Sequence, residues 1–363
     1  MVGMEGLNHL LPPLPTPAAR PGEFVFSVAG LEHGHIYGMT GSLLKAGATL
    51  KYVYDADPAK VADFCRRYPQ ARAARCEDEI LADRQTRLVA CAAVTSERCP
   101  LGLRVMAADK DFFVDKGPMT TLAQLAEARR TAQATGRKYM VYYSERLSSE
   151  AATLAGYLVQ AGEIGRVIHT EGFGPHRLSA PSRPDWFFDK ARYGGILCDI
   201  GSHQIEQFLF FTGNEEATVN AGRVDNYAHP ETPELEDFGD CSLTGANGAT
   251  GYCRVDWFTP DVLKVFGDGR TFLLGTEGYI ELRKNVDITT DRGGNQLYLV
   301  NRRGERRIDA TGLTGAPYFS QLIRDCLDRT EIAMTQAHAF KAAELCLQAQ
   351  AMADQARQQL HNL

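Results

Sequence analysis

Two short stretches of this 363-residue chain set reactive side chains in places where chemistry can use them. The first is F-F-V-D-K-G-P, Phe112 to Pro118, an apolar strand that ends on Asp115 and Lys116 before a glycine and a proline. Open α/β sheets bind ligands outside the carboxyl ends of their strands, which is where Lys116 would stand. The second stretch is G-G-I-L-C-D-I-G-S-H, Gly194 to His203. If the chain is helical from Cys198, Asp199 and His203 are four residues apart and share one helix face. A carboxylate beside an imidazole combines a base near neutral pKa with a charge that orients it, which is the pair that oxidation of an alcohol needs.

A third stretch looks like a place for phosphate. The strand F-V-F-S-V-A runs straight into G-L-E-H-G-H and then a helix, so Gly30, Leu31, Glu32, His33, Gly34 and His35 form a candidate cofactor loop. In a βαβ unit the pyrophosphate of a dinucleotide meets free N–H groups at such a helix N-terminus. Gly30 suits the first glycine of G-x-G-x-x-G, whereas Glu32 and His35 occupy the second and third places. Asp55 follows about 20 residues on, where a carboxylate accepts both adenosine-ribose hydroxyls and repels a 2′-phosphate. NAD is therefore expected over NADP. A carboxylate at Glu32 would oppose the pyrophosphate, so its side chain is expected to turn away, either capping the helix near His35 or facing the cleft. His33 and His35 have no evident third ligand in sequence, so no metal site is expected.

The segment Pro175 to Trp186 concentrates His176, Arg177, Arg183, Asp185 and Trp186, the hydrogen-bonding groups and flat apolar surface that bind polyols. Tyr143 and Arg146, at the expected domain junction, are further substrate candidates.

The elements that must hold these residues follow from periodicity. Strand-like runs at Phe24–Ala29, Leu50–Tyr54, Leu88–Ala93, Phe112–Val114 and Tyr139–Tyr143 alternate with helical stretches at Ile36–Lys45, Pro58–Arg67, Pro100–Ala108 and Leu122–Thr135. Strict alternation implies right-handed crossovers and a parallel Rossmann-type sheet over residues 23–143. From 144 to 363 the pattern changes to an α+β domain. A helix at Ala151–Gln160 precedes β-rich segments at Val167–Glu171, Ala217–Asp225, Asp240–Leu243, Thr250–Phe258, Thr271–Leu274, Tyr279–Leu282 and Gln296–Val300. Their Gly, Asn and Asp turns suit a largely antiparallel open sheet. A helix at Cys198–Phe211 interrupts them, and helices at Tyr318–Arg329 and His338–Gln358 close the chain. Residues 1–22, broken by Pro12, Pro13, Pro15 and Pro17, read as a flexible arm and a poor signal peptide.

Composition excludes several classes. A net charge of −6 with no basic run gives no footprint for nucleic acid. No apolar run approaches the roughly 20 residues of a membrane span. Nine cysteines, odd in number and with no C-x-x-C pair, suit a reducing compartment, so a cytoplasmic protein with a small-molecule ligand is expected.

With these residues assembled, the chain after Gly22 resembles the Gfo/Idh/MocA family of oxidoreductases. G-L-E-H-G-H, Asp55, the D-K-G-P segment and G-G-x-x-x-D-x-G-x-H stand in the family's order and spacing. The resemblance implies that Lys116, Asp199 and His203 are catalytic and lie beside a nicotinamide, that Thr95 and Ser96 line the cofactor, and that copies of the chain pair into dimers or tetramers. Two departures stand out: Asp115-Lys116-Gly117 replaces the family's E-K-P, and Glu32 replaces a glycine. The expected reaction is hydride transfer between nicotinamide and a secondary hydroxyl of a sugar, polyol or glycoside, with His203 as base and Asp199 anchoring a neighbouring hydroxyl or orienting His203. The alternatives are a glycosidase or lyase that retains NAD and works by transient oxidation, and a sugar- or dinucleotide-sensing regulator.

Overall fold

The computed structural model describes residues 3–290 and 293–361. Six strands form a parallel sheet in the order β3-β2-β1-β4-β5-β6: β1 (Val25–Ala29), β2 (Thr49–Tyr54), β3 (Arg72–Ala73), β4 (Thr86–Cys91), β5 (Asp111–Asp115) and β6 (Tyr139–Tyr142). The crossovers carry α1 (His35–Lys45), α2 (Pro58–Arg67), α3 (Glu77–Ala82), α4 (Thr95–Ala107) and α5 (Leu122–Thr135). Strands covered on both faces lose their polar alternation, and β1 and β5 are buried at every position. Phe112 and Phe113 in β5 are fully buried, and truncating either to Ala would cost about 3–5 kcal/mol. This packing fixes the strand end from which Asp115 and Lys116 emerge.

Local chemistry sets the helix ends. Asp57 caps α2, accepting the Ala59 N–H at 2.8 Å, with Pro58 in the first helical turn. That leaves Asp55 outside the helix. Thr121 caps α5 by accepting from Gln124 N, and Gly136 ends it in the left-handed region. The helix expected from Pro100 begins five residues earlier, at Thr95. Proline in the interior frees the carbonyl four residues back, and here that carbonyl, of Ser96, accepts from Gln124 Nε2 at 3.0 Å. The side chain replaces the missing backbone donor, so α4 continues through Pro100.

Beyond β6, α6 (Ser144–Leu147) and α7 (Glu150–Gln160) lead into an eight-stranded sheet of order β14-β13-β12-β11-β7-β10-β9-β8. Its strands are β7 (Val167–Pro175), β8 (Ala217–Asp225), β9 (Phe238–Gly245), β10 (Thr250–Asp256), β11 (Arg270–Gly275), β12 (Gly278–Arg283), β13 (Gln296–Asn301) and β14 (Gly304–Asp309). Only β7 and β10 pair in parallel; every other neighbouring pair described is antiparallel. Burial alternates strictly along β9, as one-sided sheets require. α8 (Lys190–Tyr193), α9 (Ile196–Asp199) and α10 (Gly201–Thr212) follow β7, and α10 covers β7 and β10. α11 (Pro317–Asp328) returns to pack on α1, and α12 (Gln336–His361) lies on β8 and α10.

The segment before Glu23, expected to be a flexible arm, is packed. Met4 and Leu7 are buried in the apolar layer of the second sheet, and Arg306 donates to the Glu5 carbonyl. Burying two large apolar side chains against a sheet outweighs the freedom the prolines suggest. Among the described residues no helix is long and apolar enough to cross a membrane.

Candidate active site

A cavity of about 1040 Å³ opens between the carboxyl edge of the parallel sheet and the second sheet. One wall comes from the loop after β1 (Glu32, His33, Gly34, His35) and from Lys116; the other carries His176, Arg183, Trp186, His203 and Lys284.

The loop after β1 is shaped by Gly30. Its φ of +85° lies in the region that side chains avoid, and a Cβ there would meet the Ala93 Cβ at 2.7 Å. Leu31 N–H donates to Asp55 Oδ2 at 2.7 Å and Asp57 N–H to Oδ1 at 2.9 Å, so Asp55 braces the loop from the end of β2. Glu32 turns to the cleft. It takes Lys60 Nζ at 2.5 Å on one oxygen and Trp186 Nε1 at 3.0 Å on the other, linking the two walls. No hydrogen bond described runs from Glu32 to the α1 amides.

Arg98, 2% exposed, holds the segments after β4 and β5 together. It donates to the Ala93 carbonyl at 2.8 Å, the Gly117 carbonyl at 3.0 Å and the Lys116 carbonyl. Gly117, the departure from the family's proline, has φ +64°, which the proline ring forbids. Asp115 is fully buried and faces two imidazoles, His33 Nδ1 at 2.9 Å and His35 Nδ1 at 2.8 Å. The fold thereby supplies the third metal-ligand type that the sequence spacing of His33 and His35 lacks. Burial alone would raise Asp115; the charges of the neighbouring His35 and His33 hold it well below the usual carboxylate range. Burial lowers His33 to about 4, with His35 adding to the effect.

Lys116 Nζ forms an ion pair with Asp199 across the two domains. Burial would raise the Asp199 carboxyl, and the Lys116 ammonium overrides it and holds the carboxyl below its ordinary range. The four-residue spacing suggested Asp199 beside His203, yet no hydrogen bond described joins them. Asp199 ends α9 and is drawn to the ammonium, while His203 lies in α10. Burial lowers His203 to about 3, against the opposing carboxylate of Glu145. Its Nδ1 is buried without a hydrogen-bond partner among the described residues. His176 is also lowered by burial, to about 4, and stacks edge-on against Phe266 and Trp257.

Thr95 opens α4 and is 5% exposed, its methyl against Gly117, while Ser96 is bound through its carbonyl to Gln124. Four expected substrate residues do not line the cavity. Tyr143 is fully buried and donates to the Ala339 carbonyl at 3.1 Å. Arg146 is bound to Glu206 and lies over the Phe210 ring. Arg177 spends its guanidinium on the carbonyls of Pro260, Leu263 and Val265, and Asp185 is exposed at the start of a short 3-10 turn. In each case a nearer partner inside the protein takes the group, or the turn directs it outward.

Sequence reasoning missed Glu145 and Lys284. Glu145 accepts from Gln204 Nε2 at 2.8 Å and pairs with Lys284, which is 6% exposed. Burial would raise the Glu145 carboxyl, and Lys284 instead holds it below its ordinary range. Glu145 Oε1 is left without a partner among the described residues. The only sequence signal was a lone Glu after β6 and a lone Lys after β12, from ends of the chain that meet only in the fold.

A doubly wound sheet followed by an open, largely antiparallel sheet, with charged residues gathered between them, is the build of two-domain dinucleotide-linked oxidoreductases. Residues 154–281 match the GFO/IDH/MocA C-terminal domain. A putative oxidoreductase from Erwinia carotovora atroseptica is 51% identical, with a TM-score of 0.89 over 91% of this chain and 98% of that one. The uncharacterized oxidoreductase YhhX of Escherichia coli K12 is 26% identical over 42% of this chain, a match spanning 44% of that relative. A levoglucosan dehydrogenase, in complex with NADH and levoglucosan, shares the fold at 18% identity, with a TM-score of 0.75 over 92% of this chain and 97% of that one. The chain belongs to the Gfo/Idh/MocA family of oxidoreductases.

Proposed function

We propose that this protein is an NAD-dependent dehydrogenase acting on a secondary hydroxyl of a sugar, polyol or glycoside. The observation that carries the reading is the convergence of Lys116, held by Asp199, and His203 on one cavity, beside the Gly30 turn and Asp55. A fold relative whose structure is described with NADH and levoglucosan supports the same class of cofactor and substrate.

The loop fits a dinucleotide. Gly30 keeps the turn open, Gly34 has no atom within 4 Å of where a Cβ would lie, and Lys60 with Trp186 draws the Glu32 carboxylate aside. Gly30 to His35 would hold the pyrophosphate, Asp55 the adenosine ribose, and Thr95, Ser96, Asp115 and Lys116 the nicotinamide end. Asp55 favours NAD over NADP, because a 2′-phosphate would meet its charge. Bound NAD supplies the hydride acceptor. His203, neutral because it is buried, accepts the hydroxyl proton, and the Glu145 carboxylate stabilises the imidazolium that results. Lys116 donates to the same oxygen and Asp199 holds its ammonium in place. Trp186 and Trp257 provide the flat apolar surface against which a sugar face packs.

The test is a screen of sugars, polyols and glycosides for NADH absorbance. Substrate-dependent NADH that disappears in Lys116→Ala is expected. Bond cleavage with no net NADH, or no turnover of any hydroxylated compound, would overturn the assignment.

A further inference from the structure

We propose that His33, His35 and Asp115 form a binding site for a first-row divalent cation of the zinc class, with its open coordination positions facing the cavity. The site shares residues with the cofactor loop of the hydride-transfer reading, but its ligands follow from their own geometry and are tested independently of that reading.

Three ligand atoms converge from two elements, the loop before α1 and the end of β5, all within 4.8 Å of one another. They come from residues 80 positions apart, so the cluster exists only in the folded chain. Two imidazole nitrogens and one carboxylate make a ligand set that zinc and its neighbours in the first row accept.

Hydrogen bonding leaves one oxygen of this cluster without a partner among the described residues. Asp115 Oδ1 accepts the Lys116 amide at 2.8 Å and faces His35 Nδ1. Asp115 Oδ2 is buried and accepts no hydrogen bond among the described residues. Arg98 Nη2 forms an ion pair with it at 3.6 Å, beyond hydrogen-bond reach. His33 Nδ1 is 2.9 Å away and takes the His35 backbone N–H at 3.4 Å; in the tautomer that accepts this N–H, the nitrogen has no proton to give. Two acceptors thus face each other inside the protein, an arrangement that leaves a buried carboxylate oxygen unsatisfied. A cation bound by both removes the conflict.

The dimensions suit such an ion. Ligands about 2.1 Å from a tetrahedral zinc lie about 3.4 Å apart. The His33–Asp115 and His35–Asp115 separations of 2.9 and 2.8 Å need to open by about half an ångström to admit it. Both histidines line the cavity, so water or an oxygen of a bound sugar completes the shell. Three protein ligands with an open position are the form of zinc sites that act on a ligand, whereas purely structural sites are closed by four.

The experiment uses the full chain, stripped with chelator and titrated with Zn²⁺ by calorimetry and with Co²⁺ by visible absorption. One equivalent is expected to bind, with a Co²⁺ ligand-field band. Affinity should fall about 100-fold or more in His33→Ala and in His35→Ala, and stay unchanged in His169→Ala, a histidine of the second sheet outside the cluster. Asp115 also holds the Lys116 amide, so the histidine variants and the wild-type Co²⁺ spectrum carry the test, with circular dichroism showing that each variant is folded. Failure of the wild type to bind Zn²⁺ at micromolar free metal, or histidine variants that bind as tightly as wild type, would overturn the proposal. NAD binding is titrated separately on the same stripped sample, so loss of either reading leaves the other standing.

Discussion

Replacing His203 with Asn tests whether the imidazole is held neutral by the cavity. Burial lowers this group from 6.5 to about 3. The folded value lies below the unfolded one, so between about pH 3 and pH 6.5 the unfolded chain binds a proton that the folded chain refuses. Stability is therefore untouched above pH 6.5 and falls as the pH drops through that window. Each pH unit below 6.5 costs about 1.4 kcal/mol, which makes about 2 kcal/mol by pH 5. Asparagine does not titrate, so this component vanishes in His203→Asn. Urea unfolding of both proteins at about pH 7 and pH 5 should show the wild type losing about 2 kcal/mol more than the variant over that interval. Costs of the substitution that do not depend on pH cancel in the difference. Equal losses in the two proteins, or a His203 ring resonance that titrates near its ordinary value, would refute the reasoning.

The same neutral imidazole should keep kcat/KM for oxidation level from about pH 8 down to about pH 5, since a base of low pKa is not protonated in that range; an acid limb centred near 6.5 would remove His203 from the role. Lys116→Met deletes the ammonium and should lower kcat by roughly 10² to 10³ while NAD affinity, read by fluorescence titration, changes only a few-fold; wild-type turnover in that variant would contradict the mechanism. Asp55→Ala should narrow the preference for NAD over NADP, and a wild-type protein that binds NADP better would sink that assignment. Glu32→Gln keeps an acceptor for Trp186 and loses the partly exposed Lys60 pair, so stability should fall by less than about 1 kcal/mol. A tenfold gain in NAD affinity from that variant would mean the carboxylate does press on the pyrophosphate.

The two-sheet architecture was legible in the sequence because strand and helix periodicities are local properties, and β1, β2, β4, β5 and β6 alternate with helices as those periodicities require, while the two-residue edge strand β3 and the short α3 were too brief to show a period and were not expected. Elements set by partners were not. The start of α4 depends on Gln124 reaching the Ser96 carbonyl, and β14 follows a two-residue turn in a charged segment with no apolar alternation to mark it. Lys116, His203, His176, Arg183 and Trp186 could be picked out from residue type and neighbours. Tyr143, Arg146 and Arg177 are the same kinds of residue, but carbonyls and a carboxylate deep in the fold claim them. Direction of a side chain is a tertiary fact. That is also why Asp115 could be named as a cofactor residue yet not as the partner of His33 and His35.

Charge balance in the cavity argues for the kind of ligand it receives. Lys116 is matched by Asp199, Lys284 by Glu145 and Glu32 by Lys60, each within the protein. At Lys116 or Lys284 an anionic ligand would have to break an ion pair whose partner is then left buried, at a cost of several kcal/mol, whereas Arg183, also on the wall, is held by the Leu178 and Arg177 carbonyls and lies over the Phe187 and Trp257 rings. A neutral ligand breaks none. Glu145 Oε1 and His203 Nδ1 both belong to residues that line the cavity, and both are buried without a hydrogen-bond partner among the described residues. A carboxylate oxygen can only accept, and a neutral imidazole nitrogen accepts or donates according to which of the two ring nitrogens carries the proton. Hydroxyl groups donate to the carboxylate and serve the imidazole nitrogen in either tautomer, and their carbon frame presents an apolar face to Trp186 and Trp257. A neutral, hydroxyl-rich molecule satisfies the walls on both counts.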